Sequence, residues 1–186
     1  GDNEHFLVFE APTSGDLLAM WTQGSMEPSG DNHVVVARSS NGKDWSEPQW
    51  LAGTHPGTDE PQASWGFPVV SKSGRIYCFY SKSAAGVLGG ESGTLGTLYS
   101  DDDGYNWTHS DDIPMPDCWM VNAEGTPEKT ASFIVWQKPI RDSKGRVIVG
   151  YTHTKDRVMT GGQCCCKVMR FDNIDEGPDP SELKIT

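Results

Sequence analysis

The chain has 186 residues, with 26 acidic and 15 basic side chains and a formal net charge of −11. This length suits one domain or part of a larger one, and 21 glycines with 12 prolines favour a turn-rich β protein over a helical bundle. The absence of Lys/Arg clusters argues against a nucleic-acid partner, and no apolar run approaches the roughly 18 residues of a membrane span.

The first segment has the pattern of a β-hairpin followed by a buried strand. Gly15 and Asp16 supply turn chemistry ahead of an apolar run that ends at Trp21. After a polar loop, His33–Arg38 is rich in valine, which predicts a strand buried on both faces. The segment SSNGKDW at residues 39–45 then has the composition of a tight turn.

Two later segments repeat one another. WGFPVVSKSGRIYCFY at residues 65–80 and WQKPIRDSKGRVIVGY at residues 136–151 share a Trp, a Pro, a Gly-Arg pair and a Tyr at matching positions. A shorter copy is present at residues 15–21. Each copy predicts a strand, a tight turn in which glycine adopts a positive φ, and a second strand. Trp65 and Trp136 are expected to begin the innermost strand of their units.

A third strand is predicted in each unit after a longer loop: His33–Arg38, Thr97–Ser100 and Gln163–Phe171. The last contains Cys164, Cys165 and Cys166, of which the first and third share a face because side chains alternate along a strand. An odd number of cysteines without C-x-x-C spacing indicates neither a disulfide framework nor a zinc site. We interpret the cysteines as small buried side chains.

The segment after the third strand of the second unit reads SDDDGYNW, at residues 100–107. We expect Asp102 to cap this turn by accepting backbone N–H bonds, and Gly104 to adopt the left-handed conformation. Trp107 is then expected to fold back between adjacent sheets. Residues 39–45 are a shorter copy, with Asn41 in place of the aspartate.

This pattern, S-x-D-x-G-x-x-W, resembles the Asp box of the sialidase (neuraminidase) superfamily. The resemblance implies an all-β fold, a β-propeller of the six-bladed sialidase type with four antiparallel strands per blade. Only about three blades are present in this chain, at about 1–58, 59–117 and 118–186. Three blades leave both end sheets uncovered. The missing blades are therefore expected from the rest of a longer chain or from a second copy.

The expected topology divides the loops between two ends of the blades. Hairpin turns and Asp boxes share one end, and the loops between second and third strands share the other end with the crossovers between blades. The second group is long and rich in polar and aromatic residues, as functional loops on a rigid scaffold tend to be. Its members are Gln23–Asn32, Gly53–Trp65, Lys82–Gly96, His109–Val135 and His153–Gly162.

The resemblance also implies a general acid/base in the first of these loops. Glu27 matches the expected position best and Asp31 is second, although the superfamily uses aspartate there. Met26 and Pro28 flank Glu27, and apolar neighbours raise the pKa of a carboxylic acid. Such a group protonates the leaving glycosidic oxygen and then activates water. The alternative is that both are ordinary solvated loop carboxylates.

Other parts of a sialidase site are not found in this chain. The resemblance implies a Tyr nucleophile with a supporting Glu, and an arginine triad that binds the sialic-acid carboxylate. The first of those arginines belongs to an F/Y-R-I-P motif, but His5-Phe6-Leu7-Val8 occupies that stretch. The remaining groups belong to later blades. This favours a related glycan-active enzyme over a true sialidase.

Aromatic and basic residues are the candidates for substrate binding. Aromatic rings near the axis can stack on sugars, with core packing as the alternative, and basic side chains can bind a carboxylate or sulfate, with an ordinary surface charge as the alternative. The candidates are Gln23, Trp65, Lys82, Trp136, Lys138, His153 and Arg157. No cofactor and no metal site is expected, because neither a Ser-His-Asp nor a His-rich metal arrangement can be recognised.

The leading interpretation is an exo-acting, sialidase-like glycoside hydrolase that removes a terminal sugar, acidic sugars included, from a glycan. The alternatives are a non-catalytic glycan-binding or scaffold propeller and a polysaccharide lyase on a similar propeller. The expected partner is a glycan or oligosaccharide, with no nucleic acid and no membrane. The family resemblance favours a secreted or periplasmic location, whereas the run of free thiols weighs against an oxidising compartment.

Overall fold

The fold is built from antiparallel β-sheets. A computed structural model describes residues 1–26, 30–55, 58–83, 93–121, 124–130, 132–154 and 164–186. Within these ranges there is no α-helix and no sheet closes into a barrel. Two short 3₁₀ helices, Ile174–Glu176 and Pro180–Glu182, follow the last strand. The all-β prediction is confirmed, whereas the number of blades stays a prediction.

The first sheet contains four consecutive antiparallel strands, each paired with the next. They are β1 (Asp2–Glu10), β2 (Leu17–Gly24), β3 (His33–Ser39) and β4 (Gln49–Gly53). The predicted hairpin at Gly15 and the predicted valine-rich strand are both present. Val34, Val35 and Val36 are all buried, as a β-branched interior strand requires.

The second sheet repeats this order. Its strands are β5 (Gln62–Val70), β6 (Ile76–Ser83), β7 (Thr94–Ser100), β8 (Thr108–His109) and β9 (Ile113–Pro114). Both β8 and β9 pair with β7, so the outer strand consists of two short pieces. The innermost strand starts at Gln62, and the expectation that Trp65 begins it is wrong. Trp65 instead lies at a β-bulge, with a φ of 54° and a register shift between Ser64 and Phe67.

A third sheet and a separate hairpin complete the described fold. The hairpin is β10 (Cys118–Val121) with β11 (Pro127–Thr130), and the sheet contains β12 (Phe133–Ile134), β13 (Ile140–Arg141), β14 (Val147–Thr154) and β15 (Cys164–Phe171). Both β12 and β13 pair with β14, and Trp136 lies between them, so it does not begin a strand either. A bridge between Phe171 and Ile185 adds the last residues at the outer edge.

Two apolar cores lie between successive sheets, and the second sheet contributes to both because side chains alternate along its strands. From β6, Ile76, Cys78 and Tyr80 belong to the core shared with the first sheet, whereas Tyr77 and Phe79 belong to the core shared with the third. All five side chains are buried. The first and third sheets therefore lie on opposite faces of the second.

The turn at residues 100–107 has the predicted Asp-box geometry. The Ser100 hydroxyl oxygen accepts the N–H of Gly104 at 2.8 Å, and Asp102 accepts the N–H of Asn106 at 2.8 Å. Desolvation opposes ionisation of Asp102, but the hydrogen bonds that it accepts from Asn106 and Ser100 outweigh it and hold its pKa below the usual value. Gly104 has a φ of 83°, and Trp107 packs against the core between the first and second sheets. The predicted cap, left-handed glycine and inserted tryptophan are confirmed.

An acidic side chain ties each later sheet to the hairpin turn of the sheet before it. Asp103 accepts the N–H groups of Thr13 at 3.0 Å and Ser14 at 2.7 Å. In the next interface Asp175 accepts the N–H of Lys72, the corresponding turn residue, at 3.2 Å. Both pairs of neighbouring sheets are therefore joined by hydrogen bonds from a hairpin turn to an aspartate, although the third sheet has no Asp-box sequence.

Three arginines also lie at the end of the sheets that carries these turns. Each forms an ion pair with a nearby aspartate: Arg38 with Asp16 at 2.9 Å, Arg75 with Asp101 at 2.7 Å, and Arg146 with Asp142 at 2.6 Å. They stabilise turns and strand ends at this end of the molecule.

The cysteines are only partly as predicted. Cys78 and Cys118 are buried, but Cys164 and Cys166 are exposed, so the prediction of burial is wrong for these two. They share a face of β15, as the alternation predicts. Among the described residues no sheet packs against that face, whereas Met169, on the opposite face, lies in the second core.

Candidate functional site

The register of the strands separates the loops into two groups, as predicted. In the first sheet Leu17 pairs with Ser39 at one end, where the hairpin turn and the Asp-box segment meet, and Gln23 pairs with His33 at the other. The second sheet has the same arrangement. We term the second end the loop end; its described residues are 23–26, 30–33, 53–55, 58–65, 82–83, 93–96, 153–154 and 164.

Asp31 closes the base of the loop between β2 and β3. Both of its carboxylate oxygens lie 3.1 Å from the backbone nitrogen of Ser25, which donates to them. Met26 follows with an exposed side chain. Glu27, the leading acid/base candidate, lies outside the described residues. The catalytic role of either carboxyl stays a prediction.

The next residue fastens this loop to the second sheet. The backbone carbonyl of the buried Asn32 accepts the N–H of Ala63 at 3.0 Å. Its side-chain amide donates to the Ser64 hydroxyl, also at 3.0 Å. Beside it, the N–H of Trp65 donates to the Thr22 hydroxyl at 2.7 Å. Because these buried polar groups are paired, the loop and the start of β5 are held in one arrangement.

Three rings from separate segments stack beside the loop. The Trp50 ring lies between His33, at 3.6 Å and 11°, and His55, at 4.2 Å and 14°. Glu60 accepts from His55 Nδ1 at 2.6 Å. Sequence reasoning missed this cluster, because no local pattern joins residues of β3, β4 and the crossover to β5.

The same cluster lowers the pKa of two of its members, His33 and Glu60. Burial lowers the pKa of His33, and the imidazole of His55 acts in the same direction, whereas the carbonyl and carboxylate of Asp31 oppose both. The hydrogen bond from the His55 side chain holds the pKa of Glu60 below its usual value.

Gln23, a predicted substrate contact, belongs to a hydrogen-bonded chain at the loop end. His33 Nε2 lies 3.3 Å from Gln23 Oε1, and His33 Nδ1 lies 3.1 Å from the backbone oxygen of Asp31. On its other side Gln23 donates through Nε2 to Asn3 Oδ1 at 3.3 Å, and Trp21 Nε1 donates to the same oxygen at 2.9 Å. The structure thus brings Gln23 and Asp31 together around His33.

The two tryptophans of the repeat have different surroundings. Trp65 is 7% exposed at its β-bulge, whereas Trp136 is 65% exposed in the gap between β12 and β13. The core-packing alternative therefore fits Trp65, and Trp136 has the open ring face that sugar stacking needs. The binding roles of both stay predictions.

The basic candidates are dispersed over the three sheets. Lys82 pairs with Asp112 at 2.6 Å at the loop end, and Lys138 donates to a backbone carbonyl of β1 at 2.8 Å. His153 is fully buried, with Nδ1 3.1 Å from a backbone carbonyl, and burial lowers its pKa. Arg157 lies outside the described residues.

His5 lies in the stretch where the sialidase resemblance implies an arginine. It has a φ of 55° at a register shift between Glu4 and Leu7, a bulge similar to the one at Trp65. Both ring nitrogens are buried and have no hydrogen-bond partner within the part of the chain that the structure describes. Burial lowers the pKa of His5 to about 4. His5 is therefore neutral at pH 7 and does not supply the positive charge of an arginine.

The described ranges contain neither a cluster of metal-binding side chains nor a helix suited to cross a membrane. No group of three or more His, Cys, Asp and Glu side chains there is arranged to hold a metal ion. No helix in those ranges has the length and apolar character needed to cross a bilayer.

The repeated antiparallel sheets and the Asp-box turn agree with a family comparison. A model of the BNR repeat-like domain matches residues 15–172. The chain belongs to this family. The match is consistent with a sialidase-type Asp-box domain, so the resemblance predicted from the sequence is confirmed.

The fold also occurs among solved structures. A protein of unknown function from Dyadobacter fermentans DSM 18053 is similar, with a TM-score of 0.61 and 15% sequence identity. The match covers 92% of this chain and 51% of that one, so the chain spans about half the length of this structural relative. No curated protein matches the chain. At this level of identity the likeness concerns the fold alone.

Proposed function

We propose that this chain is part of a sialidase-like glycoside hydrolase that removes a terminal sugar from a glycan. The observation that carries the proposal is the anchored β2–β3 loop of the first sheet. Asp31 closes its base through Ser25, and Asn32 ties it to Ala63 and Ser64 of the second sheet. A loop held on a rigid scaffold is suited to position a catalytic group.

Within this proposal Glu27 is the general acid/base. It donates a proton to the leaving glycosidic oxygen and then removes a proton from the attacking water. Asp31 is the second candidate, but both of its oxygens accept the N–H of Ser25, and this supports a role in shaping the loop.

The proposed substrate contacts combine hydrogen bonding, stacking and charge. Gln23 offers an amide at the loop end, and Trp136 offers an exposed ring face. The proposed cationic contacts for an acidic sugar are Lys82, Lys138 and Arg157. The remaining two proposed contacts, Trp65 and His153, lie buried in the sheets. Because His5 is neutral at pH 7, recognition of a carboxylate falls to the lysines and the arginine.

We also propose that the complete protein is a six-bladed propeller, of which this chain forms about three blades, at 1–58, 59–117 and 118–186. The other blades come from the rest of the chain or from a second copy. Exposed apolar side chains on the two outer sheets support this, namely Phe6 and Val8 on the first and Ile140 and Val168 on the third. A covering sheet would bury them. The coverage of half the structural relative supports it as well.

The test uses the longest natural form of the protein that contains this chain. It is incubated with sialylated, uronate-bearing and neutral glycans, and released sugars are identified by mass spectrometry. Glu27→Gln is expected to lower the release rate by about 10²- to 10⁴-fold. Glu47→Gln, the same change at an exposed residue of the opposite end, is the matched control and should be neutral. Equal turnover in wild type and Glu27→Gln would remove Glu27 from the mechanism.

A non-catalytic glycan-binding module is the second candidate, favoured by the exposed ring of Trp136. It predicts saturable binding of a glycan without any product, and loss of that binding in Trp136→Ala. Products that carry an unsaturated uronate would instead identify a polysaccharide lyase.

A further inference from the structure

The hydrogen-bonded chain that ends at His33 has a fixed direction. An indole N–H can only donate, so Trp21 Nε1 requires the side-chain oxygen of Asn3 as its acceptor, at 2.9 Å. Gln23 approaches this same oxygen at 3.3 Å and must present its NH₂ group to it. The carbonyl oxygen of the Gln23 amide therefore points the other way, towards His33 Nε2 at 3.3 Å.

This direction makes both ring nitrogens of His33 donors. Nε2 faces the Gln23 oxygen, and Nδ1 faces the backbone oxygen of Asp31 at 3.1 Å. Both partners are acceptors, and a neutral imidazole carries only one N–H. The arrangement with all four hydrogen bonds therefore belongs to the protonated imidazolium.

Neutral His33 breaks the chain at one point. If Nδ1 keeps its proton for Asp31, then Nε2 becomes an acceptor. The Gln23 oxygen then forms no bond to it, or the amide turns its NH₂ group towards Nε2 and its oxygen faces Asn3 Oδ1, where Asn3 cannot turn because Trp21 needs that oxygen. If the proton stays on Nε2 instead, the contact with Asp31 at 3.1 Å is lost. Each neutral arrangement therefore loses one hydrogen bond, and only the imidazolium forms all four with the Gln23 oxygen towards the ring.

The surroundings of His33 set the pH range of this change. The carboxylate of Asp31 faces it from the loop and favours the proton, while His55 lies beyond the Trp50 ring and disfavours it. Glu60 holds His55 from the crossover to β5 at 2.6 Å. Burial lowers the pKa of His33, so its protonation takes place on the acid side of the ordinary imidazole value of 6.5.

We propose that His33 is a proton-controlled positioning residue, whose protonation fixes the Gln23 amide with its oxygen towards the imidazole and its NH₂ group towards Asn3. The effect on a sugar substrate rests on the proposed function, in which Gln23 contacts the glycan. The titration of His33 does not, because it depends only on groups of this chain.

The test is a pH titration of the histidine ring nitrogens by ¹⁵N-edited NMR, without substrate. Trp21→Phe frees Asn3 to turn and so restores the lost bond of neutral His33. The pKa of His33 should therefore fall by about 0.5 to 1. Asn3→Asp places a permanent acceptor and a negative charge at the same point, and the pKa of His33 should rise. Trp21→Phe acts through Asn3 and Gln23, whereas Asn3→Asp adds the direct attraction of its negative charge.

Trp45→Phe, at the opposite end of the first sheet, is the matched control. It should change the pKa of His33 by less than about 0.2, well below the shift expected from one hydrogen bond. A lower pKa of His33 in Trp21→Phe supports the proposal, whereas an unchanged or raised pKa would overturn it. Asn3 is exposed, so Asn3→Ala decides the matter if Trp21→Phe fails to fold. It removes the shared acceptor without adding a charge and should lower the pKa of His33 in the same way.

Glycan cleavage is measured in a separate experiment from the NMR titration. If a glycan is cleaved, KM in wild type should change with pH through the His33 pKa, and this change should move with the pKa in Asn3→Asp. If no glycan is cleaved, the proposed function fails, while the NMR titration still decides the role of His33.

Discussion

The tie between the first two sheets offers a sharp test of the fold. Asp103 accepts the backbone N–H groups of Thr13 and Ser14 at 3.0 and 2.7 Å, and the residue is only 9% exposed. Its φ of 60° lies in the left-handed region, which asparagine tolerates well. Asp103→Asn therefore removes the charge and one acceptor without adding backbone strain.

The expected cost follows from these two hydrogen bonds. A hydrogen bond to a charged group stabilises a protein by about 1.5 to 3 kcal/mol. Asparagine keeps one acceptor oxygen but places an NH₂ group against the second backbone donor, so we expect a loss of about 2 to 3 kcal/mol. For a chain of this size that corresponds to a decrease in Tm of roughly 5 to 10 °C.

The assay is guanidinium unfolding at pH 7, with Asp111→Asn, the same change at an exposed carboxylate, as the control. Desolvation opposes ionisation of Asp103, but the N–H groups of Ser14 and Thr13 outweigh it and lower its pKa. Its stabilisation is thus present above the unfolded value of 3.8 and is lost as the pH falls through the lower folded value. The difference from wild type should shrink below pH 3.8. A loss under about 0.5 kcal/mol at pH 7 would refute the reasoning, since that is the usual effect of a surface change.

Three other predictions concern packing and titration. Burial lowers the pKa of His5 to about 4, so the free energy of unfolding should fall by up to about 3 kcal/mol as the pH drops from 6.5 to 4. Urea titrations at several pH values should show that His5→Asn removes this dependence on pH. Gly96→Ala places a methyl group against the buried Tyr80 ring and should destabilise the chain by about 3 kcal/mol in thermal unfolding. The matched change Gly150→Ala comes closest to the end of the flexible Gln137 side chain and otherwise meets a backbone oxygen at ordinary contact distance, so it should cost less than about 1 kcal/mol. Val168 is 61% exposed on the outer face of the third sheet. Val168→Lys should therefore reduce self-association of the isolated chain, measured by light scattering. Equal association of the two proteins would contradict an uncovered sheet face.

Local signals in the sequence were sufficient for much of the fold. The glycine turns, the valine-rich β3 and the Asp box were predictable because each depends on residues close together in the chain. The tie through Asp103 was not, since it joins residues about 90 positions apart and depends on how two sheets pack. The different surroundings of Trp65 and Trp136 were not predictable either. The two segments share their repeat residues, but β5 is continuous whereas its counterpart is split into β12 and β13.

The candidate site was less accessible to sequence reasoning. The separation into two ends and the placement of Gln23 and Asp31 followed from strand order, which the repeat indicates. The ring stack around Trp50 did not, because the bulge between Val34 and Val35 changes the register of β4. Such a shift has no signature in composition, yet it determines which side chains meet.

We propose that the complete protein cleaves a terminal sugar from a glycan with Glu27 as acid/base. The most direct measurement compares released monosaccharides, by mass spectrometry, from the mixed glycans incubated with wild type, Glu27→Gln and Glu47→Gln. We expect one released sugar with wild type and Glu47→Gln that is nearly absent with Glu27→Gln. Intact glycans in all three incubations, with saturable glycan binding, would contradict it and identify a binding module.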